Sequence, residues 1–127
     1  MNSKSSYQLA YVEQLAQLFY AIAAADKQVS KQETEAFRTA ISKEWEKVDF
    51  NEMLQKKFDL LLISKPAPEM AYDKFQEFAH KNPSLLTKSN KIKIWNTADA
   101  IASSFADKNK SEVVMLAKLK NLLLDLP

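Results

Sequence analysis

Apolar side chains recur along this chain at spacings of three and four residues, the period of an α-helix, and no stretch alternates as a strand would. The first predicted helix runs from about Ser6 to Ala25, with Leu9, Val12, Ala16, Phe19 and Ala23 as its stripe. From Leu18 to Ala25 every residue is apolar, which covers the whole circumference. A helix that is apolar all round has to be enclosed by protein. This half-helix is therefore expected at the centre of the fold.

Five further helices follow from the same period, punctuated by prolines and caps. The second spans about Ser30 to Glu46, where Ser30 and Glu33 have capping-box spacing and Phe37, Ala40, Ile41, Trp45 and Val48 share a face. The third begins near Asp49, with Asp49 and Glu52 spaced as a second box, and Met53, Leu54, Phe58, Leu61 and Leu62 supply its buried side. Ser64-Lys65-Pro66-Ala67-Pro68 breaks it. The fourth starts at Pro68, carries Ala71, Phe75, Phe78 and Ala79, and stops before Asn82-Pro83, after which Leu85 and Leu86 plug the core. The fifth runs from Thr87 to Ala106 through Ile94, Ala98, Ile101 and Phe105. Asn109 and Glu112 cap the sixth, which reaches about Leu124. Its apolar face holds Met115, Leu116, Leu119, Leu122, Leu123 and Leu126, and Val113, Ala117 and Leu124 widen it past half the circumference. The expectation is one all-α domain over residues 1–127, of about six helices, with the first and fifth central and residues 1–6 a loose tail.

Composition sharpens this picture mainly by exclusion. The chain has no glycine, which disfavours hairpin-rich folds and removes every glycine-based nucleotide motif. It has no cysteine, so disulfides, thiolate nucleophiles and cysteine-ligated metals are excluded. The polar start has no apolar signal region, and no apolar run approaches the length of a membrane span, so a cytoplasmic protein without a membrane span is expected. A net charge of +2 is too mild to argue for a nucleic-acid or membrane partner.

Two turns look alike. The first helix ends in Ala25-Asp26-Lys27 before Ser30 opens the second, and the fifth ends in Ala106-Asp107-Lys108 before Ser111 near the start of the sixth. A duplicated helix–loop–helix and a chance likeness both account for this. The stretch from Ile22 to Glu33, followed by apolar Phe37, resembles the signature of the TerB-like family of tellurite-resistance-type helical domains. That signature is an alanine-rich helix, Ala-Asp-Gly, a hydrophobic residue, Ser or Asp, and a Glu opening the next helix. The resemblance implies a bacterial type of protein, a multihelical fold with two related halves around two central helices, and acidic residues at the turns that hold a divalent metal. Carried onto this chain, it points to Asp26 and Glu33 in the first half and to Asp107 and Glu112 in the second. Lys27 stands where the family has glycine, and the second copy is two residues shorter between Asp and Glu.

The remaining motifs are weighed against simpler roles. Asp26 to Glu33 mimics the back half of an EF-hand, but Ile22, Ala24 and Lys27 occupy positions that need oxygen ligands and glycine, so an EF-hand is excluded. Glu33 and Glu112 serve equally well as helix caps. Glu77-x-x-His80 has di-iron spacing, yet that site needs the motif twice and His80 is the only histidine. Lys88, Lys91 and Lys93 beside Trp95 read as a solvated helix face rather than a nucleic-acid patch. No catalytic constellation is visible, and a non-enzyme is expected. The leading expectation is an interaction or scaffold module of stress or tellurite-type response, with Leu119, Leu122, Leu123 and Leu126 facing a protein partner or a second copy. The alternative is a divalent-metal-binding or metal-sensing protein using the acidic turns, a divalent cation being the one cofactor implied.

Overall fold

A computed structural model describes residues 3–26, 28–104 and 110–127, with side chains from residue 9 onward. Among these the chain forms six α-helices: α1 (Ser3–Ala23), α2 (Lys31–Glu44), α3 (Val48–Ser64), α4 (Pro68–Lys81), α5 (Lys88–Ala102) and α6 (Lys110–Asp125). A 3-10 turn, Pro83–Leu85, joins α4 to α5. The all-α architecture read from the periodicity is the one found. The first helix begins at Ser3, within the stretch expected as tail.

α1 is the hub. It packs against all five other helices, and every residue from Leu18 to Ala25 is at most 9% exposed. The cause lies in its composition: Ala16, Ala21, Ala23, Ala24 and Ala25 are short enough for neighbours to close in on all sides, while Leu15, Leu18, Phe19 and Ile22 fill the space between them. Each such large side chain contributes about 1.5–3 kcal/mol through burial. α5 has the next most central place, touching α1, α2 and α6. Of the expected first stripe only Leu9 is half exposed, where the helix leaves its neighbours.

The helix ends show where local chemistry agreed with the pattern and where it did not. At α2 the capping box is complete: Ser30 Oγ accepts from the Glu33 N–H at 3.0 Å, and Glu33 Oε1 accepts from the Ser30 N–H at 2.9 Å. At α3 the expected box does not form. The helix starts one residue earlier, Lys47 stands at the N-cap without a side-chain bond, and Asp49 falls inside the first turn. The joint is fixed differently, because the Asn51 amide donates to the Ile41 and Trp45 carbonyls at the end of α2. α2 ends at Glu44, and Val48 is exposed rather than on its buried face.

α3 ends at Lys65, which adopts the left-handed conformation (φ 51°) that helix stops usually give to glycine. With no glycine available a lysine bears the cost of about 1 kcal/mol. The Tyr20 hydroxyl donates to the Pro66 carbonyl at 2.9 Å and ties this corner to α1. α5 is capped by Thr87, whose hydroxyl accepts from the Asn90 N–H, and ends at Ala102, earlier than expected, where the Ser104 hydroxyl donates to the Ile101 carbonyl. Phe105 and the Asn109 cap lie outside the described residues. α6 is narrower in its burial than the wheel suggests, since Val113, Ala117 and Leu124 face solvent.

Candidate functional site

The four candidate ligands divide unevenly. Glu33 and Glu112 are both 0% exposed, and their carboxyl groups meet at hydrogen-bonding distance across the interior. Each is the third residue of its helix, Glu33 in α2 and Glu112 in α6. The two helix starts therefore converge, and each presents its glutamate to the other. Asp26, at the turn after α1, is exposed, and its charge still acts on Glu33. Its Oδ1 accepts from the Gln28 N–H at 3.1 Å. Asp107 lies outside the described residues.

The electrostatics of this junction follow from burial. Removal from water pushes the Glu33 carboxyl above its ordinary value, and the Asp26 charge adds to that. Hydrogen bonds from Ser30 and Glu112 act in the opposite direction and are outweighed. Capping occupies Oε1 of Glu33, whereas its buried Oε2 has no donor among the described residues. Among the described residues no lysine or arginine forms an ion pair with Glu33. Lys31 and Lys110, the first residues of the same helices, are exposed. Two abutting carboxylates cannot both stay ionised without compensation. The arrangement suits either a proton held between them or a cation drawn to them.

As a metal site the residues fit in part. The buried, undonated Glu33 oxygen beside a second carboxyl is the kind of acceptor a hard cation takes up. Among the described residues no three histidine, aspartate or glutamate side chains converge. Two carboxylates with water suit magnesium, which commonly binds through one or two of them; a calcium shell of six to eight oxygens needs more than these two supply.

The other motifs disperse in the fold. His80 and Glu77 are both exposed, and Glu77 instead receives a bond from Lys81 at 2.8 Å, which lowers its pKa. Lys88 is exposed, Lys91 donates to the Leu126 carbonyl at 2.7 Å, and Lys93 lies over the Trp45 ring. Trp95 packs partly buried against the core, so the lysines and this tryptophan form no continuous stripe.

The expected partner surface needs correction. Leu119, Leu122, Leu123 and Leu126 are all buried within this single chain, packed in the main core. Their face is filled by the chain's own helices and is not open to a partner. Compared with known proteins, the chain matches no family model, no curated protein and no solved structure. Sequence reading also passed over Tyr11, a buried tyrosine whose hydroxyl has no hydrogen-bond partner among the described residues, because an aromatic on an apolar stripe looks like core.

Proposed function

We propose that this protein is a TerB-like helical module that binds a divalent cation, magnesium foremost, between Glu33 and Glu112. The carrying observation is the meeting of these two fully buried carboxyls at the starts of α2 and α6, with an oxygen of Glu33 that has no donor among the described residues. The likeness of Ile22 to Glu33 to the family signature supports the same reading. A cation there would replace a shared proton and tie the first helical turn of α2 to that of α6. Because the clamp joins early and late parts of the chain, its occupancy would set how firmly α6 is held. That is the behaviour of a sensor or a cation-braced scaffold rather than of a catalyst.

Calorimetric titration with magnesium, calcium and zinc at neutral pH tests it. Saturable heat and a raised melting temperature are expected, both lost in Glu33→Gln and in Glu112→Gln. No heat and no thermal shift with any of the three ions ends the proposal. A second reading, docking of a protein partner, is favoured by one observation: Leu60, Ile63 and Met70 are exposed on either side of the α3–α4 corner. On that reading the module acts in a bacterial stress or tellurite-type response by presenting this corner.

A further inference from the structure

α6 is held by different means at its two ends. It lies against α5 and α1, and its first turn meets α2 through the contact of Glu112 with Glu33. The first half of the helix, residues 110–117, buries Glu112, Met115 and Leu116, while Val113, Val114 and Ala117 face solvent. The second half, residues 118–125, buries Leu119, Leu122 and Leu123, and Leu126 is buried just beyond it. At that end the Lys91 ammonium of α5 donates to the Leu126 carbonyl at 2.7 Å.

The two halves therefore depend on different chemistry. Four leucines and a charge-assisted bond seat the second half, and these need no further component. The first half has only two apolar side chains beneath it, and its most deeply buried group is a carboxyl: Glu112 is 0% exposed, Met115 and Leu116 each 6%. A carboxyl taken into the interior favours the closed state only as far as its partners satisfy it. Here the partner is a second buried carboxyl, whose Oε2 has no donor among the described residues. The bare pair has one hydrogen bond to offer, whereas a bridging cation attracts both carboxylates at once. Unwinding from this end separates Glu112 from Glu33 and leaves the leucines seated.

We infer that α6 is a latch: its first two turns open and close against the body of the fold, and a divalent cation between Glu33 and Glu112 holds them closed, which rests on the reading that this junction binds a cation. The second half stays seated in both conditions. Opening uncovers Met115, Leu116 and the apolar surface beneath them. Loss of the ion thus turns a buried apolar patch into an accessible one, which gives the junction a way to signal its occupancy.

Hydrogen exchange of the intact chain at neutral pH, followed amide by amide by NMR, tests this alongside calorimetry with magnesium. In EDTA the Met115, Leu116 and Ala117 amides should be at least about tenfold less protected than those of Leu122, Leu123 and Leu124, a gap of about 1.4 kcal/mol in opening. Magnesium at ten times its dissociation constant should slow the first set by about tenfold, because the open form cannot hold the ion. Glu112→Gln should abolish that slowing. Lys91→Met should speed the second set and leave the first set unchanged. The latch is overturned, and the cation site left standing, if magnesium gives binding heat yet does not slow the first set, or if both sets share one degree of protection in EDTA. It is also overturned if Lys91→Met acts on both sets alike, since α6 then moves as one piece. Absence of heat ends the site and the latch together.

Discussion

The two ends of α1 are packed alike and finished differently. Near its C-terminal end Phe37 is fully buried and stacks on Phe58 at 4.0 Å; near its N-terminal end Tyr11, Trp45 and Phe50 gather in a ring cluster. Both ends thus spend large aromatic surfaces on cohesion. Their leftover polar atoms have opposite demands. Among the described residues, Oε2 of Glu33 at one end has no donor, and the buried Tyr11 hydroxyl at the other has no acceptor. Apolar packing therefore explains why the fold stands, and the unmet polar atoms say where it can be acted upon.

The comparison breaks most severely if the core does not extend equally to both ends. Leu122→Glu places a charge among the buried leucines of α6 and should leave the chain unfolded by circular dichroism. A folded monomer released from a dimer in light scattering would instead restore α6 as an interface. Next, Phe37→Ala and Trp45→Ala should each cost about 3–5 kcal/mol in urea unfolding, one at either end. A loss below about 1 kcal/mol at one site would show that its end contributes little to cohesion.

Smaller effects sharpen the polar contrast. Glu33 holds its proton more tightly in the folded state than in the unfolded one, because burial raises its pKa. Between the ordinary carboxylate value and the raised one, the native state binds more protons, so its contribution to stability declines as pH rises through that window. Glu33→Gln should remove this decline relative to the parent chain, and magnesium should offset it in the parent alone. A pH profile unaltered by the variant would locate the proton elsewhere. Smallest is Tyr11→Phe, which deletes an unsatisfied donor: the melting point should stay level or rise by the equivalent of up to about 1 kcal/mol. A marked destabilisation would mean that the hydroxyl has a partner in solution.

What could be read ahead of the structure was governed by range. The enclosed half of α1 was legible because eight successive apolar residues, Leu18 to Ala25, leave a helix no solvent-facing side. The Ser30–Glu33 cap was legible because its partners are three residues apart. The Asp49–Glu52 spacing was the same and failed, since Asn51 reaches back to α2 and settles that joint through tertiary contacts. Nothing local told that the Glu33 carboxyl, beyond capping its own helix, meets Glu112 from the far end of the chain. The α6 leucines carried the converse ambiguity, because a broad apolar face has the same pattern whether its neighbour is the same chain or another.

The left-handed Lys65 bears on the unfolded chain as much as on the native corner. Flanked by Pro66 and Pro68 and lacking any glycine nearby, this segment has few conformations to surrender when the reversal between α3 and α4 forms. The entropy that a flexible hinge would forfeit is largely absent from the outset. Replacing Lys65 by glycine would ease the torsion yet loosen the disordered ensemble, so the two contributions oppose each other at a single residue.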